Sequence, residues 1–117
     1  MAPEPESLLP LTATVFHILV ALAGEDRHGY GIIQDVAART SGKLRLSPGT
    51  LYGSVKRMLE DGLICESDER PDPHLDDERR RYYQITALGR RAAQAEAVRL
   101  RDLVKLAEAR FDLPEPA

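Results

Sequence analysis

A chain of 117 residues with 30% charged residues and a net charge of -3 has room for one core and not for two. Its longest apolar run, Val15 to Ala23 interrupted by His17, is well short of the roughly 20 residues that cross a bilayer, and its single cysteine, Cys65, closes neither an internal disulfide nor a cysteine-based zinc site. The opening "MAPEPESLLP" carries acids and prolines but no basic stretch, unlike a secretory signal, so a cytoplasmic protein without membrane attachment is expected.

An acidic total argues against nucleic-acid binding until its distribution is considered. Arg39, Lys43, Arg45, Lys56 and Arg57 fall in a stretch without any acid, as do Arg79, Arg80, Arg81, Arg90 and Arg91. Between the two lie Glu66, Asp68, Glu69, Asp72, Asp76, Asp77 and Glu78, opposed only by Arg70. Two basic islands flank an acidic loop, and if both islands share a face the protein has a local positive field despite its net charge.

In chain order, residues 1–10 read as a flexible leader. "TATVFHILVALAGE" then places Val15, Phe16, Ile18, Leu19 and Leu22 at helical spacing on a broad apolar face, the pattern of a helix covered on more than one side. In "RHGYGIIQDVAARTSG" the residues Ile32, Ile33, Val36 and Ala37 keep helical spacing and Ser41-Gly42 is a stop, giving a second helix from Tyr30 to about Thr40 that His28 helps to start. "KLRL" is a short link with the alternation of a brief strand. A third helix is bounded by Ser47 as N-cap, Pro48 at the first helical position and Gly62 past the last apolar residue. "LICESD" and "RRYYQIT" are two strands of a long hairpin, with Tyr83 and Ile85 on one face and Tyr82 and Gln84 on the other. Thr86 caps a final helix to about Phe111, followed by a flexible tail, 112–117.

That last helix carries Ala93, Ala97, Leu100, Val104, Ala107 and Phe111 at alternating spacings of four and three, an a/d seam. A small domain leaves little for so long a helix to cover, so the seam is assigned to a second copy of the chain, with folding back on its own core as the alternative. The expected fold is mainly α with a small two-stranded β-wing: a winged helix-turn-helix domain over 11–86 and a C-terminal dimerisation helix over 87–111.

The third helix poses its own question, because each interior glycine costs about 1 kcal/mol relative to alanine and "LSPGTLYGSVKR" holds two. At 100° per residue, Leu51, Val55, Met58 and Leu59 share one face and Gly49, Thr50, Gly53, Lys56 and Arg57 lie opposite. Glycines on that side either let a DNA groove approach the backbone or let another part of the protein pack closely.

"HGYGIIQDV", "LSPGTLYGSVKRMLEDGLI" and "RRRYYQITALGRR" together resemble the PadR family of bacterial transcriptional regulators, in the family's order and over roughly Val15 to Arg91. The resemblance implies a homodimeric repressor of a pseudo-palindromic double-stranded DNA operator, released by a small molecule or another signal. It further implies that the C-terminal helix of each subunit packs on the N-terminal helix of the other, with Val15, Phe16, Leu19, Ala93, Ala97, Leu100, Val104, Ala107 and Phe111 at the interface. The DNA-contacting set it implies is Tyr30 and Tyr52 near the backbone, Ser47, Gly49 and Thr50 opening the recognition helix, Lys56 and Arg57 at its basic end, and Arg80 and Arg81 at the base of the wing; the helix face adds Gly53. An effector space between the subunits would be lined by Val15, Phe16, Ile18, Leu19, Leu100, Val104 and Phe111. The departure from the family pattern is "ESDERPDPHLDDE", an acidic wing loop that phosphate would repel.

His74 among Asp72, Asp76, Asp77 and Glu78 lacks the fixed spacing of a metal site, and no residue pattern supplies a nucleophile with an oriented base. Neither a cofactor nor an enzymatic activity is expected. A reading from another class, a winged-helix protein–protein interaction module that uses the acidic wing, predicts no operator recognition.

Overall fold

The computed structural model describes residues 4–67 and 81–116. Helix α1 (Ala13–Ala23) is followed by a two-residue strand β1 (Arg27–His28), α2 (Gly29–Arg39), α3 (Pro48–Glu60), strands β2 (Ile64–Ser67) and β3 (Tyr82–Ile85), and the 22-residue α4 (Ala87–Glu108). The helix ends obey the local rules of the sequence. The side chains of Thr12, His28, Ser47 and Thr86 each accept from a backbone N–H of the first turn that follows, and the imidazole of His28 does so through Nδ1, 2.9 Å from Gly31 N. Helix α3 closes on Gly62 at φ +76, where Gly62 N donates to Leu59 O and Leu63 N to Met58 O, a Schellman ending that only a residue at ease with positive φ completes without strain.

Four helices and the sheet enclose one core: Ile18 and Leu22 from α1, Ile32 and Val36 from α2, Leu51, Val55 and Met58 from α3, Ile64, Tyr83 and Ile85 from the strands, and Leu88 and Ala92 from the start of α4. In the antiparallel sheet β3 lies between β1 and β2, with Ile64 opposite Ile85 and His28 opposite Tyr82. The wing thus has a third strand where two were expected, and "KLRL" contributes none of it, since residues 43–46 form no ladder. Arg27 accounts for the placement of β1. Its Nε donates to Ala21 O at 2.8 Å, and its guanidinium lies 3.2 Å from both Glu25 and Asp35, tying the C-terminal end of α1 to α2.

Two other expectations fail for physical reasons. The segment read as a flexible leader forms a turn of 3₁₀ helix, Pro5–Leu8, packed on α4, with Leu8 and Leu11 against the core. Leu19 is 0% exposed, so the core of its own chain leaves it no surface for a partner, and the same burial keeps Ile18 from facing a second subunit. Helix α4 ends at Glu108, short of the expected Phe111, and is embedded only at its start: Leu88, Gly89, Ala92 and Glu96 are buried, whereas Leu103, Val104 and Leu106, and Phe111 past the helix end, are exposed. The radius of gyration, 15.8 Å, exceeds the roughly 13 Å of a compact chain this long, as a helix that leaves the body requires.

Candidate nucleic-acid interface

Helix α3 sorts its residues as its sequence demands. Leu51, Ser54, Val55 and Met58 are buried, while Gly49, Thr50, Tyr52, Gly53, Lys56 and Arg57 are exposed. A Cβ added at Gly49 or Gly53 would find no atom of the described residues within 4 Å. Close packing inside the chain therefore does not explain these glycines, and the two leave a strip of open backbone beside Lys56. At the start of the helix Pro48 has no N–H, Thr50 N donates to Ser47 Oγ at 3.2 Å, and Leu51 N donates to Ser47 O at 2.9 Å. Gly49 N is left as the uncommitted donor of that turn among the described residues, on the positive end of the helix dipole. The hydroxyl of Ser47 donates to Thr50 Oγ1, so both side chains are partly committed to the cap.

Tyr52 sits on one flank of the strip, 46% exposed, with its ring against the first residue of α2. A Cβ at position 29 would lie 2.7 Å from Tyr52 Cζ, so Gly29 is a close-approach glycine that lets the tyrosine seat α3 against α2. Tyr30, 63% exposed, projects beside this contact, and its ring stacks on His28 with centroids 6.5 Å apart, while Tyr82 of the wing meets His28 edge-on at 5.4 Å. Burial, reinforced by Tyr52 and Glu66, pushes the Tyr83 phenol up from its ordinary value, which keeps it uncharged under the sheet. The three exposed or half-exposed tyrosines thus cluster around the N-terminal turn of α2, next to the open face of α3.

The arginines divide. Arg81 lies exposed at the base of the wing and pairs with Glu66 at 2.9 Å, an exposed ion pair of little energetic consequence. Arg90 serves α1: its Nη2 donates to Ala23 O at 3.1 Å, capping that helix. Arg80 and the acidic loop with His74 lie outside the described residues; among the described residues no group of His, Cys, Asp and Glu is arranged to hold a metal ion. No helix of the described residues is long and apolar enough to cross a membrane.

The order of elements, the capped and glycine-opened third helix and the β-wing have a counterpart among known proteins. Residues 18–95 match the model of the transcriptional regulator PadR-like family. The chain belongs to that family. It is 33% identical over 93 residues to the transcriptional regulator Rv3488 of Mycobacterium tuberculosis, covering 80% of each chain. Among solved structures it is similar to a transcriptional regulator from Clostridium thermocellum, with a TM-score of 0.72 and 22% identity over 85% of this chain and 90% of that one. It is also similar to a PadR family transcription regulator from Clostridium difficile, with a TM-score of 0.67 and 24% identity over 84% and 97% of the two chains. PadR-like proteins are transcriptional regulators rather than enzymes, and their winged-helix fold is the one described above.

Two features of this PadR-like chain were not legible in the sequence. Gly29 is needed for Tyr52, a partner 23 positions away whose proximity only the packing of α2 on α3 creates; the glycine in "HGYG" was the available signal. Glu96 is the other. It is a buried carboxylate on a helix whose charged residues otherwise read as solvent-facing, and no local pattern marks it.

Proposed function

We propose that this PadR-like regulator is a homodimeric repressor that binds a pseudo-palindromic operator through α3, Tyr30, Tyr52 and the base of the wing. The observation that carries the reading is the solvent face of α3, where two glycines with open space above them adjoin Lys56, Arg57 and Thr50. A bare backbone strip flanked by cations allows the helix to sink further into a major groove than side chains would permit. Gly49 N supplies a phosphate donor at the helix start, and Lys56, Arg57 and Arg81 supply the counter-charge. Tyr30 and Tyr52 reach the backbone from the side of α2.

Support for the dimer comes from α4, where Leu100, Leu103, Val104 and Leu106 are exposed in a single chain and continue the seam with half-buried Ala107 and with Phe111 just past the helix end. Half-exposed Val15 and Phe16 on α1 complete the surface a second copy would cover. Leu19 has no part in it. A signal molecule would act between α1 and α4, at an open recess of about 240 Å³ bordered by Leu19, Val20, Ala23, Ile85, Arg90, Ala93 and Gln94. A cytoplasmic location follows from work on chromosomal DNA. The test is operator binding by fluorescence anisotropy at fixed salt. Lys56→Ala is expected to weaken binding about tenfold while sedimentation still shows a dimer; wild-type affinity in that variant contradicts the assignment of the face.

A further inference from the structure

Glu96 is the charged side chain buried in this fold among the described residues, with 3% of it exposed. It stands where α4 leaves the body: Ala92 one turn earlier is fully buried and Leu100 one turn later is exposed. Its Oε1 accepts from Leu11 N at 3.3 Å and from Arg99 Nε at 2.8 Å, and its Oε2 accepts from Arg99 Nη2 at 2.6 Å. A carboxylate out of water persists only when its lone pairs are met. Here one partner comes from its own helix and the other from the docked leader.

The leader continues from this clamp toward the recognition helix. Leu8, Pro10 and Leu11 border a cleft of about 190 Å³ whose other side is Arg57, Met58 and Asp61 at the C-terminal end of α3. Residues 8–11 are therefore held to α4 by a hydrogen bond and packing, and they face α3 across the cleft.

We propose that Glu96, through the leader it clamps, is the positioning residue that fixes the angle between the dimerisation helix and the recognition helix, and so sets the half-site spacing that the dimer accepts. This role depends on the dimeric DNA-binding reading above. Leverage makes it consequential: from Glu96 to Glu108 the helix runs about 18 Å, so a tilt of about 10° moves its far end by about 3 Å, close to the rise of one base pair at roughly 3.4 Å.

The test uses the full-length protein and duplexes carrying its half-sites with the intervening length changed one base pair at a time. Wild type is expected to prefer one spacing, with duplexes two base pairs away bound about tenfold more weakly. Glu96→Ala, checked as a folded dimer by circular dichroism and sedimentation, is expected to bind the best duplex less selectively, with the profile flattened to about threefold. Glu96→Gln, which keeps an acceptor for Leu11 N, restores most of the selectivity. A role in stability alone lowers the melting temperature but leaves the spacing profile intact, and an unchanged profile in Glu96→Ala overturns the proposal. Should that variant fail to fold, Leu8→Ala loosens the same leader from outside the clamp and is held to the same result. A wild-type protein without any spacing preference overturns the dimeric-operator reading instead.

Discussion

Replacing Gly53 by alanine separates what α3 needs from what its function needs. In the free protein the new methyl group meets nothing within 4 Å among the described residues, and the position lies in the exposed interior of a 13-residue helix. Alanine should then stabilise the fold by about 1 kcal/mol, the ordinary propensity difference, which for a domain of this size raises the melting temperature by about 4 °C. Against DNA the same methyl group stands on the strip that has to approach the groove, and binding is expected to weaken by about tenfold, or about 1.4 kcal/mol; Gly53→Leu should weaken it further. Differential scanning calorimetry and operator titration on the same preparation read both effects. A variant that melts lower than wild type refutes the claim that nothing inside the chain packs on Gly53. A variant that melts higher but binds as well as wild type, for leucine as well as alanine, removes this face from the DNA.

Three further outcomes follow from individual contacts. The two hydrogen bonds from Arg99 hold the Glu96 carboxyl below its ordinary value, with burial opposing and Leu11 N adding to the effect. A depressed folded value contributes stability that is full above the ordinary glutamate range and is lost as pH falls through the folded value; Glu96→Gln should cost about 2 kcal/mol at neutral pH and show a shallower acid limb in melting temperature against pH. Gly89 is packed so tightly on the carbonyl of Leu63 that an added Cβ would also lie 3.0 Å from Ile85 Cγ1, so Gly89→Ala should destabilise by about 3 kcal/mol in urea titration, whereas Gly49→Ala should not destabilise at all. Val104→Glu places a charge on the exposed seam of α4 and should shift the sedimentation profile toward monomer with the helical circular dichroism of one chain retained.

The parts of the fold that depend on neighbouring residues were open to reading from the chain alone. Ser47, Thr86 and Gly62 mark helix ends through contacts three to five positions away, and the two faces of α3 follow from a period of 3.6 residues. The parts that failed depend on distant residues. Leu11 and Glu96 are 85 positions apart, and a proline-rich leader gives no sign that a carboxylate in another helix will hold it. Helix α1 is apolar around most of its circumference, so its pattern could not say which side its own chain covers; Leu19 falls on the covered side and Val20 on the open one. Strand β1 is only two residues long, and it joins the sheet because Arg27 is anchored to Ala21 O and Asp35, whereas the alternation in "KLRL" had no strand edge to pair with.

Whether this chain reads a two-fold operator through α3 is decided by selecting a randomised duplex pool on the purified protein at physiological salt. An inverted repeat with half-sites about one helical turn apart, about 10 to 10.5 base pairs, should be enriched, and Gly53→Leu should lose that enrichment. Recovery of no common motif by a folded wild-type protein would contradict it and favour a winged-helix interaction module that recognises no operator.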